Sequence, residues 1–273
     1  MKRKTTAARP PVVLTIAGFD PGSGAGITAD LKTFAAHGCY GVACITALTV
    51  QSTRGVRRVD PLPPKLVSET LAELASDFEI AAVKIGMLGS GGVARAVLEF
   101  LRRRKFPQVV LDPVLRSSSG AALLERSAIP LLRRFLPLVQ VITPNAGEAA
   151  LLSGISIKTA GRIPAAAARL HQLGSAAVVI TGGDFPARSR TAVDYFSADF
   201  GADLSALRGR RIPSRNTHGT GCAFSSAIAA NLAWGKTLPE AVLAAKRYVE
   251  RAIAAAPQLG HGRGPLNHLV ENS

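Results

Sequence analysis

The seven residues Asn216-Thr217-His218-Gly219-Thr220-Gly221-Cys222 carry the densest group of chemically useful side chains in the sequence, and an apolar run over 223–234 follows them directly. Small residues leading into a stretch rich in Ala, Ile and Leu read as a helix start, with Thr217 or Thr220 as the expected N-cap. The first amides of a helix have no partner within it, and the helix dipole adds positive potential at that end. Gly219 and Gly221 lack the Cβ that would hold an anion off the backbone, so a phosphate or a phosphoryl group in transfer suits the place. A thiol at this mouth, Cys222, is expected to have a lowered pKa and to be partly thiolate near neutral pH. Taken alone, the stretch reads equally as a glycine turn beside an inert cysteine.

Composition bounds what such a site can belong to. At 273 residues and 47% hydrophobic content, the chain has the material for a large core. With no linker and no internal repeat, it reads as a single domain over 12–270 behind a disordered basic arm over 1–11. No apolar run reaches the roughly 18–20 residues that a membrane span needs. The charged start has no apolar stretch of its own and is not read as a signal peptide, so a cytoplasmic protein without a membrane partner is expected. The three cysteines are odd in number and lack CxxC spacing, which argues against a disulfide framework and a structural zinc site. Cys39 and Cys44 are expected to be small core residues. A net charge of +15 suits anionic partners. The basic clusters, such as Arg102-Arg103-Arg104-Lys105 and Arg133-Arg134, are short and not interleaved with aromatics, so no nucleic-acid platform is expected.

The elements that must position the motif alternate. Strands are expected over 12–17, 42–48, 80–85, 108–111, 138–142 and 176–180, with late antiparallel strands over 193–196 and 207–212. Helices are expected over 27–37, 66–78, 93–101, 223–234 and 238–255, and a small flap over 49–56. This pattern predicts an α/β fold with a mainly parallel sheet. Asp112-Pro113-Val114 falls at the carboxyl end of a strand, where α/β enzymes place function, although Asp-Pro also makes ordinary turns. Asn145 and Glu148 stand three apart at a helix start, where they either share a hydrated cation or form a capping arrangement. Thr181-Gly182-Gly183-Asp184 is a second glycine turn.

Two nucleotide motifs fail. The glycine loop 18–26 offers no third Rossmann glycine, because Ile27 occupies that place, and no acidic residue ends the next strand. Gly235-Lys236-Thr237 has the tail of a Walker A motif, but residue 230 is Ala and the triplet follows a helix instead of opening one.

Taken together, Thr15-Ile16-Ala17-Gly18-Phe19-Asp20-Pro21, Gly24-Ala25-Gly26-Ile27, Ala29-Asp30-Leu31-Lys32, Ile45-Thr46-Ala47-Leu48 with Gln51, Lys84-Ile85-Gly86-Met87-Leu88, Asp112-Pro113-Val114 and residues 216–222 resemble the ribokinase-like superfamily. Within it they are most similar to the hydroxymethylpyrimidine/phosphomethylpyrimidine kinases of thiamine biosynthesis, over residues 12–268. The resemblance implies a three-layer sandwich with helices on both faces of a mainly parallel sheet. It implies ATP-dependent phosphorylation of 4-amino-5-hydroxymethyl-2-methylpyrimidine, its monophosphate, or both, with Mg²⁺, in a homodimer joined through the flap near residues 51–59. By resemblance Gln51 and Asp30 contact the aminopyrimidine, and Gly18, Met87 and Val114 wall the pocket. Cys222 lies beside the attacking oxygen, and Gly219, Thr220 and Gly221 form the anion hole. Asp112 with Asn145 and Glu148 orients metal and phosphate, and Thr181 and Gly183 belong to the ATP side. The family often has Lys-Gly-Gly-His where this chain has residues 181–184, and Arg116 is the expected substitute for that missing lysine charge. A pyridoxal or pyridoxine kinase is the nearest alternative, and a basic nucleic-acid-binding protein that kept the kinase fold is the non-enzymatic one. A sugar or nucleoside kinase would be expected to carry Asp at position 222.

Overall fold

The computed structural model describes residues 9–117, 120–183, 190–201 and 203–270. The chain runs β1 (Val12–Phe19), α1 (Gly26–Ala36), β2 (Tyr40–Ser52), β3 (Gly55–Pro61), α2 (Pro64–Asp77), β4 (Ile80–Ile85), α3 (Gly91–Arg103) and β5 (Val109–Leu111). It continues through α4 (Ile129–Arg133), β6 (Val141–Ile142), α5 (Ala146–Ser153), α6 (Ile163–Gln172), β7 (Ala177–Ile180), β8 (Thr191–Ala198), β9 (Asp203–Arg210), α7 (Thr220–Ala233) and α8 (Leu238–Ala254). The basic arm lies almost wholly outside the described residues, but Pro11 is already tied to the sheet margin, where its carbonyl accepts from the Tyr40 amide at 3.0 Å.

The strands form one sheet in the order β3-β2-β1-β4-β5-β6-β7-β8-β9. The six from β2 to β7 run parallel, and β3, β8 and β9 are antiparallel additions at the two margins. Side chains alternate across a strand, so β1 feeds both layers. Leu14 and Ile16 pack with Val67, Leu71, Val93, Leu98, Leu152 and Leu170 of α2, α3, α5 and α6. Val13 packs with Phe34, Ala227 and Tyr248 of α1, α7 and α8. The expected three-layer sandwich is therefore present, and among the described residues no helix is long and apolar enough to cross a membrane. Cys39 and Cys44 are buried free thiols, pushed up to about 11 and about 12 by burial.

Two features place the site. From β1 the chain leaves through α1 to β2 on one side, while β4 pairs with β1 on the other, so the strand order switches direction between β1 and β4. A crevice opens at the carboxyl ends of strands at such a point. The second strand is also longer than expected: β2 runs to Ser52 and pairs antiparallel with β3, so the flap that carries Gln51 is a hairpin.

Candidate active site

The motif loop does not cap its helix with a threonine. Gly219 is the N-cap, at φ +85°, and Thr220 donates its hydroxyl to the Thr217 carbonyl at 2.7 Å. A side chain at 219 would be strained by that backbone and would overlap the Gly24 carbonyl, so the two glycine loops touch backbone to backbone. The start of α1 also lacks a side-chain cap, and the Gly26 amide reaches the Cys222 sulfur. Two helix N-termini thus meet at the carboxyl end of the sheet, with their first-turn amides and dipoles directed into one space.

Beneath that space lies a buried ion pair. Lys84 Nζ donates to Asp30 Oδ1 and Oδ2 at 3.0 and 2.9 Å, and both side chains are 0% exposed. Thr15 donates to Asp30 Oδ2 at 2.6 Å and Ser226 to Oδ1 at 2.7 Å. An ionised carboxylate offers about four acceptor positions, and these four bonds use them. Asp30 therefore sits under the site as a structural anion and has no lone pair left for the ring contact that the resemblance suggested. Burial alone would depress the Lys84 ammonium, but the charges of Asp30 and Asp112 outweigh it and hold it above the ordinary lysine value.

Asp112, just past β5, is buried and accepts from Ser225 of α7 at 3.2 Å. A Cβ on Gly221 would lie 3.7 Å from its Oδ2, so the carboxylate faces the helix start. Burial pushes Asp112 up to about 6, with Lys84 pulling it down and Asp30 adding to the rise. Cys222 departs from expectation. Burial pushes its thiol up to about 12, because Lys84 and the Gly26 amide favour the thiolate less than desolvation, Asp30 and Asp112 oppose it. The side chain keeps some exposure at the helix mouth, and its shift is directed away from the thiolate.

Gly18, Met87 and Val114, expected to wall a pocket, lie together. A Cβ at Gly18 would lie 2.8 Å from Met87 Sδ, so the thioether occupies the room that this glycine leaves. Met87, Ala47 and Leu123 form a small apolar cluster with Val114 packed against it. At its edge, Gln51 Oε1 accepts from Thr49 at 3.2 Å, and Gln51 Nε2 lies 3.1 Å from His218 Nε2. The same His218 nitrogen is 2.7 Å from Asp20 Oδ2. Asp20 also accepts from the amides of Gly22, Gly24 and Ala25 at 2.8, 3.2 and 3.0 Å. Burial would raise the Asp20 carboxyl, but His218 and those amides hold it below the usual range. Asp20, His218, Lys84, Ser225 and Ser226 had no role assigned from sequence, although the first three stood inside the quoted motifs.

Of the residues expected at the phosphate, Asn145 and Glu148 form the capping arrangement. Glu148 N donates to Asn145 Oδ1 at 2.9 Å and Asn145 N to Glu148 Oε2 at 3.0 Å, while Leu115 N donates to Glu148 Oε1 at 3.2 Å. Asn145 is bridged to Thr181, whose amide donates to the Pro144 carbonyl at 3.0 Å. Arg116 is not drawn to this group: it is exposed, and its Nη1 donates to the Gly120 carbonyl of its own loop at 3.1 Å. A different arginine is present there, with Arg211 Nη1 donating to the Gly183 carbonyl at 3.1 Å. Asp184 lies outside the described residues. No cluster of three metal-ligating side chains occurs among the described residues, but Mg²⁺ is commonly held by one or two carboxylates, phosphates and waters. Asp112 fits that role, being a buried carboxylate whose nearest cation, Lys84, is spent on Asp30. Glu148, with both oxygens engaged, fits only through water.

Two outcomes follow from this geometry. Lys84→Met strands the Asp30 charge and lowers stability by about 3–5 kcal/mol in urea unfolding, whereas adding Asp30→Asn restores most of the loss; equal stability of Lys84→Met and the unmodified protein would refute the buried pair. With its thiol shifted upward, Cys222 in the native protein is expected to react slowly with Ellman's reagent at pH 8, and all three cysteines to react after denaturation. One fast thiol in the native protein, mapped to Cys222, would refute that shift.

The sequence model of the phosphomethylpyrimidine kinase family matches residues 20–267. A hydroxymethylpyrimidine/phosphomethylpyrimidine kinase of Haemophilus influenzae is 43% identical over 258 residues, covering 94% of this chain and 96% of that protein. The thiamine biosynthetic bifunctional enzyme of Arabidopsis thaliana is 45% identical over 264 residues, or 95% of this chain, and the chain spans 50% of its length. Among solved structures, the ADP complex of Bacillus subtilis pyridoxal kinase has a TM-score of 0.86 at 34% identity, covering 95% of this chain and 98% of that one. A phosphomethylpyrimidine kinase from Clostridium difficile 630 has a TM-score of 0.78 at 36% identity, covering 89% and 99%. The uncapped helix mouth, the buried Asp112 and the Gln51 wall thus occur in a chain that belongs to the phosphomethylpyrimidine kinase family.

Proposed function

We propose that the protein transfers the γ-phosphoryl group of ATP to the hydroxyl of 4-amino-5-hydroxymethyl-2-methylpyrimidine and then to the resulting monophosphate, giving ADP in each step. The observation that carries this reading is the 3.1 Å approach of Gln51 to His218. It sets a neutral amide, the group suited to an aminopyrimidine edge, against the loop that opens the anion-binding helix. The His218 nitrogen is already directed at Asp20, which leaves the Gln51 amide hydrogens to spend on a ligand.

The residues divide the work. Gly18, Met87 and Val114 hold the ring by shape, and Gln51 orients it. The amides at Gly219, Thr220 and Gly221 face the phosphoryl group as its charge redistributes, and one such donor is typically worth about 10²–10³ in rate. Cys222, beside the N-terminus of α7, positions the attacking oxygen. Asp112, raised to about 6, has the basicity to accept that proton or to hold a divalent cation. When bound, Mg²⁺ would neutralise phosphate charge, with Asp112 as its protein ligand and Glu148 reached through water. Asn145, Thr181 and Gly183 line the nucleotide side. Arg211, whose Nε is buried without a partner among the described residues, supplies the positive charge there in place of Arg116. A homodimer through the flap belongs to the same proposal: Leu48 and Val50, 44% and 42% exposed, share one face of β2, and sedimentation velocity reads it.

A pyridoxal kinase is the second reading, favoured by the structural likeness to the Bacillus subtilis and Staphylococcus aureus pyridoxal kinases at TM-scores of 0.86. ADP release with Mg²⁺ and the pyrimidine alcohol, its monophosphate or pyridoxal, side by side, separates the two. Turnover of the two pyrimidines above pyridoxal is the expected result. Turnover of pyridoxal alone would transfer the assignment, and turnover of none would overturn it. In the same assay Arg211→Ala raises KM for ATP about tenfold, the cost of one charged hydrogen bond, and Arg116→Ala leaves it unchanged.

A further inference from the structure

After α8 the chain doubles back across the site without regular structure, with glycines at 260, 262 and 264. It first crosses the flap hairpin. The amides of His261 and Gly262 both donate to Thr53 Oγ1 at 3.2 Å, and the Arg263 amide donates to the Thr53 carbonyl at 2.9 Å. A Cβ at Gly260 would overlap the Thr53 side chain, and one at Gly262 would overlap the Thr53 carbonyl. The segment then crosses the motif loop. Gly264 O accepts from the His218 amide at 3.1 Å, Pro265 is bridged to His218, and a Cβ at Gly264 would overlap Asn216 Oδ1. Its far end is anchored in the core, where Tyr248 donates to the His268 carbonyl at 2.9 Å and the Asn267 amide to the Ala252 carbonyl at 3.1 Å.

One continuous strap thus grips the hairpin two residues beyond Gln51 and grips His218, the residue that Gln51 approaches. A two-stranded hairpin is marginal in water by itself, and β3 is the margin of the sheet, with no strand beyond it among the described residues. The three backbone donors on Thr53 tie the hairpin tip to the strap. A groove of about 470 Å³ lies along this junction, lined in part by Pro21, Gln51, Arg54 and His261.

We infer that the strap formed by residues 259–268 is a positioning element for the acceptor substrate, and that Thr53 is the positioning residue through which it sets the distance between Gln51 and the anion-binding loop. The inference rests on the pyrimidine kinase reading for its substrate, and on the contacts above for its mechanism. Three backbone amides converge on one threonine, the glycines at 260 and 262 leave room for it, and both gripped segments carry the groups that face each other across the site.

The test compares Thr53→Ala, Thr53→Ser and Gly262→Ala in steady-state kinetics and in amide hydrogen exchange over 51–56. Thr53→Ala is expected to raise KM for the pyrimidine alcohol about tenfold, the equivalent of about 1.4 kcal/mol, with kcat and KM for ATP nearly unchanged and faster exchange over 51–56. Thr53→Ser keeps the accepting oxygen and restores both readouts, and Gly262→Ala reproduces the Thr53→Ala pattern. The inference is overturned if Thr53→Ala leaves KM for the alcohol and the exchange unchanged. It is also overturned if both KM values rise together with a lowered unfolding midpoint, which is the mark of a general loss of structure. If the unmodified protein phosphorylates neither pyrimidine, the kinase reading falls, and exchange over 51–56 alone then decides the strap: faster in Thr53→Ala supports it, unchanged overturns it.

Discussion

Everything at the mouth of the site stands on the buried contact between Lys84 and Asp30. It joins four elements at once, because Lys84 comes from β4, Asp30 from α1, Thr15 from β1 and Ser226 from α7. Removing two charges from water costs several kcal/mol per ion and is recovered only when geometry is close to ideal and the remaining polar positions are filled. Here they are filled, by two oxygens that accept four bonds. Such a contact is a poor source of net stability but a strict one of arrangement. If α7 slid along the sheet, the Ser226 bond to Asp30 and the Ser225 bond to Asp112 would both break. The helix start is thereby held in register with the strand ends.

The same pair sets the electrical character of the site. One buried ammonium stands against the carboxylates of Asp30 and Asp112, so the protein alone leaves a deficit of positive charge near the helix mouth. Together with burial, the larger cause, those carboxylates raise the Cys222 thiol despite its place at two helix N-termini. The dipoles and the Gly26 amide act on it, but desolvation and two nearby negative groups act more strongly. Burial does most to hold Asp112 above the usual carboxylate value, with Asp30 adding to the rise and Lys84 opposing it.

Much of this arrangement is legible in the residues and some is not. The alternation of strands and helices is carried by periodicity, and the Gly-rich starts of α1 and α7 by glycine spacing, because both are local in the chain. Gln51 beside the motif loop was legible only through resemblance, since the contact with His218 spans 167 residues. The roles of Thr217 and Thr220 were misread because N-capping preference assumes an ordinary helix entry. Close packing against Gly24 instead demands a left-handed residue, which only Gly219 supplies without strain. Cys222 was misread because the helix-terminus argument contains no desolvation. Arg116 and Arg211 are both arginines in polar stretches, and nothing local tells which one reaches the Gly182-Gly183 turn. The glycines at 260, 262 and 264 were a visible signal, as three in five residues seldom lack a steric cause, but the cause is Thr53 and Asn216, far away in sequence.

The strap also has a bearing on the order in which the molecule is completed. The pairing of β1 with β2 and of β2 with β3 joins neighbours in the chain, and these contacts can form as soon as the residues exist. The amide of His261, in contrast, reaches Thr53 across 208 residues. Contacts of such separation form late, because the loop they close must first be paid for in entropy. During synthesis, then, the hairpin bearing Gln51 exists long before the segment that fixes its tip. The tie that the strap makes between the hairpin tip and the motif loop exists only when residues 261–268 have been made and docked.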